Sequence, residues 1–279
     1  MSARGADAPT RVPDRATVAD APRRLRWLEP AAVTGVLSRE WTVFTRYWVS
    51  TTFSSIVEPT IYLLAFGFGL GALLTAVDGI DYLEFIGTGI VATAVMFSSA
   101  FPGMFGTFVK RRFQRTYDAI LAAPVDTAEL VTAEALWLAL RAGVYGCAPM
   151  VVAIAFGLDP SPGMLLVPFI AALTGFGFAS LGMFIAGVAR SIDNFNYVIS
   201  AVLTPLFLVA GTFFPVDVLP APVAAMSVIN PLYHCVELVR GAVFGFSGWE
   251  QLGHVAGLLV FAAVAWALAI RRLRARLID

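Results

Sequence analysis

The side chains able to do chemistry are sparse and scattered. His234, Glu237 and Arg240 stand at i, i+3 and i+6, which is one stripe of a helix. That stripe is either an i,i+3 salt bridge on a wet face or a polar lip that touches a head group or sugar. A metal at His234 and Glu237 would lack further ligands, so no metal site is expected. Cys147 and Cys235 lie in or near apolar segments without ligand spacing, and no disulfide is expected. Glu58 and Arg141 interrupt apolar runs, where each costs about 2.5–3.5 kcal/mol on insertion scales. Counted at about 1.5 Å per residue from the inner boundary, they lie at similar depth. Either they pair, or Glu58 faces a hydrated path while Arg141 snorkels inward.

Lys110 is the only lysine, and Val109 precedes it. A phosphate-cradling P-loop needs Gly immediately before its Lys, so this sequence contains none. Energy for any work must come from another polypeptide or an ion gradient. An intramembrane transferase would need clustered acids, a histidine base or a metal site, and isolated carboxylates with two scattered histidines do not supply one. Gradient-driven carriers carry internal repeats broken at mid-depth, whereas the breaks here lie toward one end.

Lys110 also opens the run KRRFQRTYDAILAAP, residues 110–124. As a helix it sets Phe113, Tyr117, Ile120 and Leu121 on one face, with Gln114, Arg115 and Asp118 elsewhere and Pro124 as the stop. A short amphipathic helix between two membrane spans either presses against something in the cytosol or is a solvated loop whose charges only set topology.

The elements that must position these residues follow from composition. Only 14% of residues are charged, against about 25% in soluble domains, and 58% are hydrophobic. The fold expected is an all-α polytopic membrane protein. Residues 1–24 read as a disordered cytoplasmic leader rather than a secretory signal. Residues 25–48 read as an amphipathic interfacial helix, or alternatively as an ordinary extension of the first span, with Trp41, Phe44 and Trp48 on one stripe beside cations such as Arg46. Six spans are expected at about 49–74, 85–105, 135–157, 164–189, 197–214 and 253–270. Prolines at 215, 220, 222 and 231 break the segment 215–247, which should form two short helices, about 219–229 and 232–244, dipping into the outer leaflet. Of the 19 cations, 17 then fall inside with both termini cytoplasmic, and only Arg141 and Arg240 do not.

Three stretches carry a resemblance over about residues 30–275. They are Glu58-Pro59 with TIYLLAFGFGLG, FVKRRFQRTYDAILAAPV, and GTFFPVDVLPAPVAAMSVINPLYHCVELVRG. The sequence resembles ABC transporter permeases of the type-2 exporter family, and the first two stretches look most like the nodulation-type lipo-oligosaccharide exporters. The third is shared more widely, including with drug-efflux members. The resemblance implies a type-2 transmembrane domain over 49–279 in the inner (plasma) membrane. The segment holding Arg111, Arg112, Phe113, Arg115, Tyr117, Asp118, Ile120 and Leu121 would be the coupling helix docking into a separate ABC ATPase. The interfacial helix would brace that subunit, and ATP and magnesium would sit on it, leaving this chain without a cofactor. Two permeases with two ATPases would form the working unit among membrane lipids, with no nucleic acid. The cargo implied is a lipo-oligosaccharide or glycolipid, with a hydrophobic drug or antibiotic as the alternative. Many family members carry an acidic residue at the start of the coupling segment, where this chain has cations and only Asp118.

Overall fold

The computed structural model describes residues 28–73, 76–77, 79–246 and 248–277; the expected leader lies outside them. The chain opens with α1 (Pro30–Gly71), a single 42-residue helix with Pro30 in its first turn and Pro59 inside it. At 1.5 Å per residue it is about 63 Å long. The interfacial segment and first span are therefore one helix, unbroken at residue 48, which is the extension of the first span held open as the alternative. Tryptophans beside cations mark a chemical boundary along a helix without requiring a backbone break.

Two short strands, β1 (Ala76–Val77) and β2 (Ile80–Asp81), pair antiparallel. Asp81 then caps α2 (Tyr82–Phe101) by accepting from the Leu83 amide. Through a π turn at Pro102–Gly106, α2 runs on into α3 (Thr107–Arg112). After α4 (Thr116–Leu121), α5 (Thr127–Tyr145) starts on a capping box made by Asp126 and Glu129. It continues as α6 (Ala148–Ala155), and a 3-10 turn leads into α7 (Val167–Val188). The expected fifth span is α8 (Asn194–Val198), a π turn and α9 (Thr204–Leu208). Both π turns sit at a proline, Pro102 or Pro205, whose missing N–H leaves a carbonyl free and widens the helix. Next come α10 (Ala221–Ser227) and α11 (Pro231–Phe244), close to the two short helices expected, and finally α12 (Glu250–Leu277).

Among the described residues five helical stretches are long and apolar enough to cross a membrane. The Asn194–Leu208 stretch is shorter than those five and falls short of the roughly 20 residues of a full span.

The core centres on α2 and α7. α2 is buried on nearly every side, with Phe85, Ile86, Val91 and Met96 at its heart. α7 packs against α2, α5 and α12, and small residues let it come close. A Cβ on Gly175 would stand 2.5 Å from Ala142 Cβ, and one on Gly182 would stand 2.6 Å from the Ala100 carbonyl. The glycines of α1 meet less: a Cβ on Gly67 would lie 3.5 Å from Leu83. α1 hangs at the edge, burying only Val36, Glu40, Leu63 and Gly67.

Candidate functional site

At the end of the bundle expected to face the cytoplasm, called here the inner end, four elements meet around Lys110. Its ammonium donates to Glu40 of α1 at 2.9 Å and to Glu134 of α5 at 2.9 Å. Arg39 also donates to Glu40. The Tyr117 hydroxyl, from α4, donates to the other oxygen of Glu134 and lies 3.4 Å from Thr107 Oγ1. Both carboxylates are almost fully buried, their side chains 8% and 4% exposed. Two buried carboxylates with one ammonium between them hold only while every partner is present, because removing one leaves charge stranded in a poorly polarisable interior. The Tyr117 phenol is pushed well above its ordinary pKa, first by burial and then by the Glu134 carboxylate, so it remains a donor. This knot ties the segment after α3 to α1 and α5 together.

Beyond it the chain turns outward. The helix expected over the 110–124 run breaks at residues 113–115, where Arg115 takes a left-handed backbone with φ 49°. Helical spacing therefore does not carry from Phe113 to Tyr117, and the predicted apolar face is divided. Phe113 is 65% exposed, while Tyr117 is buried. Ile120 and Leu121 pack inward with Val36, Leu130 and Ala133. Arg111 also turns in, donating to the Ala186 and Ala189 carbonyls at 3.0 and 3.5 Å. Of the eight residues predicted for docking, Arg112, Phe113, Arg115 and Asp118 form the exposed tip.

On the inner half of α1, Phe44 packs edge-on against Trp137 of α5 at 5.5 Å, and Trp41 meets the same ring at 6.0 Å. Arg46 and Trp48 are exposed. Arg141 lies 6.0 Å over the Phe44 ring. Glu58 is exposed and no salt bridge of the described residues joins it to Arg141. The reason is length. Arg141 is level with Phe44, and Glu58 stands fourteen residues further along α1, about 21 Å away in rise.

At the opposite end of the bundle, called here the outer end, the predicted stripe divides in two. His234 Nδ1 meets Nδ1 of His254 on α12 at 2.8 Å. Glu237 makes the i,i+3 bridge to Arg240 at 3.4 Å. Arg240 points inward, donating to the Gly211 carbonyl at 2.7 Å and stacking 3.8 Å from the Phe85 ring centre. The i,i+3 bridge read from this stripe is present, and the three residues make two separate cross-links, one through His234 and one through Arg240.

Sequence reasoning passed over Glu40, Glu134 and His254. The available signal was one lysine bordered by apolar helices that each hold a carboxylate.

The family description ABC-2 type transporter matches residues 32–244. Nodulation protein J of Sinorhizobium fredii is 33% identical, covering 88% of this chain and 93% of the relative. Nodulation protein J of Rhizobium meliloti is 33% identical over 87% and 92%. The inner membrane transport permease YadH of Escherichia coli is 26% identical over 85% and 92%.

Proposed function

The chain belongs to the ABC-2 type transporter family, and on that premise we propose that it is the permease of an ATP-driven exporter for an amphipathic solute. Members of the family are transmembrane subunits without an ATPase of their own, and the chain is a multi-pass inner-membrane protein. In our reading two permeases work with two copies of a separate ABC ATPase, which carries ATP and magnesium. Both termini face the cytoplasm, and the stretch from Asn194 through Phe214 makes the sixth crossing. The cargo is a lipo-oligosaccharide or glycolipid, a choice that rests on likeness to the nodulation proteins.

One observation carries the proposal: the exposed tip of Arg112, Phe113, Arg115 and Asp118 hangs from the buried knot of Lys110, Glu40, Glu134 and Tyr117. A surface that must transmit a push needs an exposed contact on a stiff root. The root here grips α1 and α5 directly, so displacement of the tip is passed to two long helices. ATP closure of the partner shifts the permease only through unequal contact with its two states, and the tip is where that difference acts.

The test is Phe113→Asp combined with Arg115→Glu, two exposed positions outside the knot. The ATPase should no longer co-purify, and stimulation of its hydrolysis should disappear while the permease keeps its melting temperature. Undiminished co-purification would refute the docking role. Export of a hydrophobic drug, with none of a lipid-linked oligosaccharide, would replace the cargo and leave the machine.

A further inference from the structure

α7 and α12 run side by side in the same direction, and their inner ends gather three arginines around one helix terminus. Arg111 donates to the Ala186 and Ala189 carbonyls, and Arg276 Nε donates to the Gly187 carbonyl at 3.3 Å. The stem of Arg272 lies on Gly187, where an added Cβ would come within 3.0 Å of it. The C-terminal end of a helix carries about half a negative charge. Three full cations against it leave about two and a half positive charges unmatched. None of the three enters a salt bridge among the described residues. The Nε of Arg272 is buried without an acceptor.

Directly above, on the same stripe of α12, an apolar groove of about 590 Å³ runs along Phe261, Val264 and Leu268 opposite Leu181 of α7, and ends at His234 and Gly257. Phe261, Val264, Leu268 and Arg272 follow one another by three or four residues, so the groove leads straight to the arginines. Its length on α12, Gly257 to Leu268, is about 16 Å, close to the ~15 Å of one leaflet's hydrocarbon. Arg272 lies one turn further, about 6 Å, which is the depth of a headgroup layer.

We propose that this cleft holds one inner-leaflet phospholipid of anionic headgroup, with its phosphate on Arg272, Arg276 and Arg111 and one acyl chain in the groove. Charge and length both select that occupant: a zwitterionic lipid would leave the cationic excess, and a soluble anion would leave the groove. An acidic patch of the ATPase is the competing source of negative charge, but the cleft opens on the flank of α12, where Val260 and Val264 are exposed, rather than at the Phe113 tip. The proposal rests on the membrane placement and not on the exporter reading.

The experiment is native mass spectrometry of the delipidated full chain, offered phosphatidylglycerol or phosphatidylcholine, with glycerol phosphate as a soluble competitor. The unmutated protein should retain phosphatidylglycerol about tenfold or more over phosphatidylcholine. Arg272→Gln with Arg276→Gln should erase that preference. Val264→Trp, which fills the groove, should lower retention of both lipids. Equal retention by the unmutated protein overturns the site without relying on any variant. Displacement by glycerol phosphate overturns the lipid and leaves a phosphate site. If the arginine variant keeps its lipid preference but loses the co-purifying ATPase, the arginines serve that partner instead.

Discussion

Polar side chains cross-link the helices at both ends of this bundle, but with different chemistry. At the inner end one lysine serves two buried carboxylates and a tyrosine completes the set, so full charges are locked between α1, α3, α4 and α5. At the outer end α11 is held to α12 by two imidazoles, and to the Gly211 turn and Phe85 by Arg240. The inner knot fails if any member is lost, whereas the outer contacts are separate and can fail singly. On the exporter reading proposed above, a stiff root suits the end that meets the ATPase, and separable contacts suit the end where cargo leaves.

The sharpest way to break this contrast is Lys110→Met. Two carboxylates would then face each other with their ammonium gone, and stability should fall by about 3–5 kcal/mol. Thermal unfolding of the purified protein measures it. Adding Glu134→Gln to the same chain should recover part of the loss; if Lys110→Met alone is neutral, the knot is not a structural unit. Tyr117→Phe comes next. It removes a donor to a carboxylate and leaves that oxygen underserved, for about 1.5–3 kcal/mol. Arg240→Leu at the other end should fall in a similar range, combining a charged hydrogen bond with a ring contact. It should leave ATPase co-purification intact, which Lys110→Met should not.

What the sequence discloses follows from the kind of signal each feature leaves. Apolar runs and prolines mark many helices to within several positions, because span length is set by the bilayer, Pro231 opens α11 and Pro124 follows the end of α4. Counting cations assigns sides but says nothing of partners, so Lys110 reads as one more inside charge while its bonds to Glu40 and Glu134 remain hidden. The break at Phe113–Arg115 is equally silent, since no Gly or Pro marks the left-handed residue and Arg115 takes that backbone itself. The similar depth expected of Glu58 and Arg141 fails for a related reason. Depth counts from an assumed span boundary, and α1 begins nineteen residues before the one assumed.

The smallest effect is expected at the histidine pair, and it bears on the difference between the two ends most directly. A neutral imidazole has one donor and one acceptor nitrogen, so Nδ1 to Nδ1 contact at 2.8 Å means one ring donates and the other accepts. Such a bond contributes about 1 kcal/mol net, and His254→Leu alone should lose that much by leaving His234 without its partner. Replacing both rings, His234→Leu with His254→Leu, should restore most of the stability, because two apolar groups of similar size need no partner. The corresponding double change at the inner end cannot do the same. Removing Lys110 and one carboxylate leaves the other with a single donor, Arg39 or Tyr117, and leaves the removed carboxylate's own second donor without its acceptor. Melting curves of the two single and two double variants decide it: recovery at the outer end and incomplete recovery at the inner one keeps the distinction, while equal recovery at both would erase it.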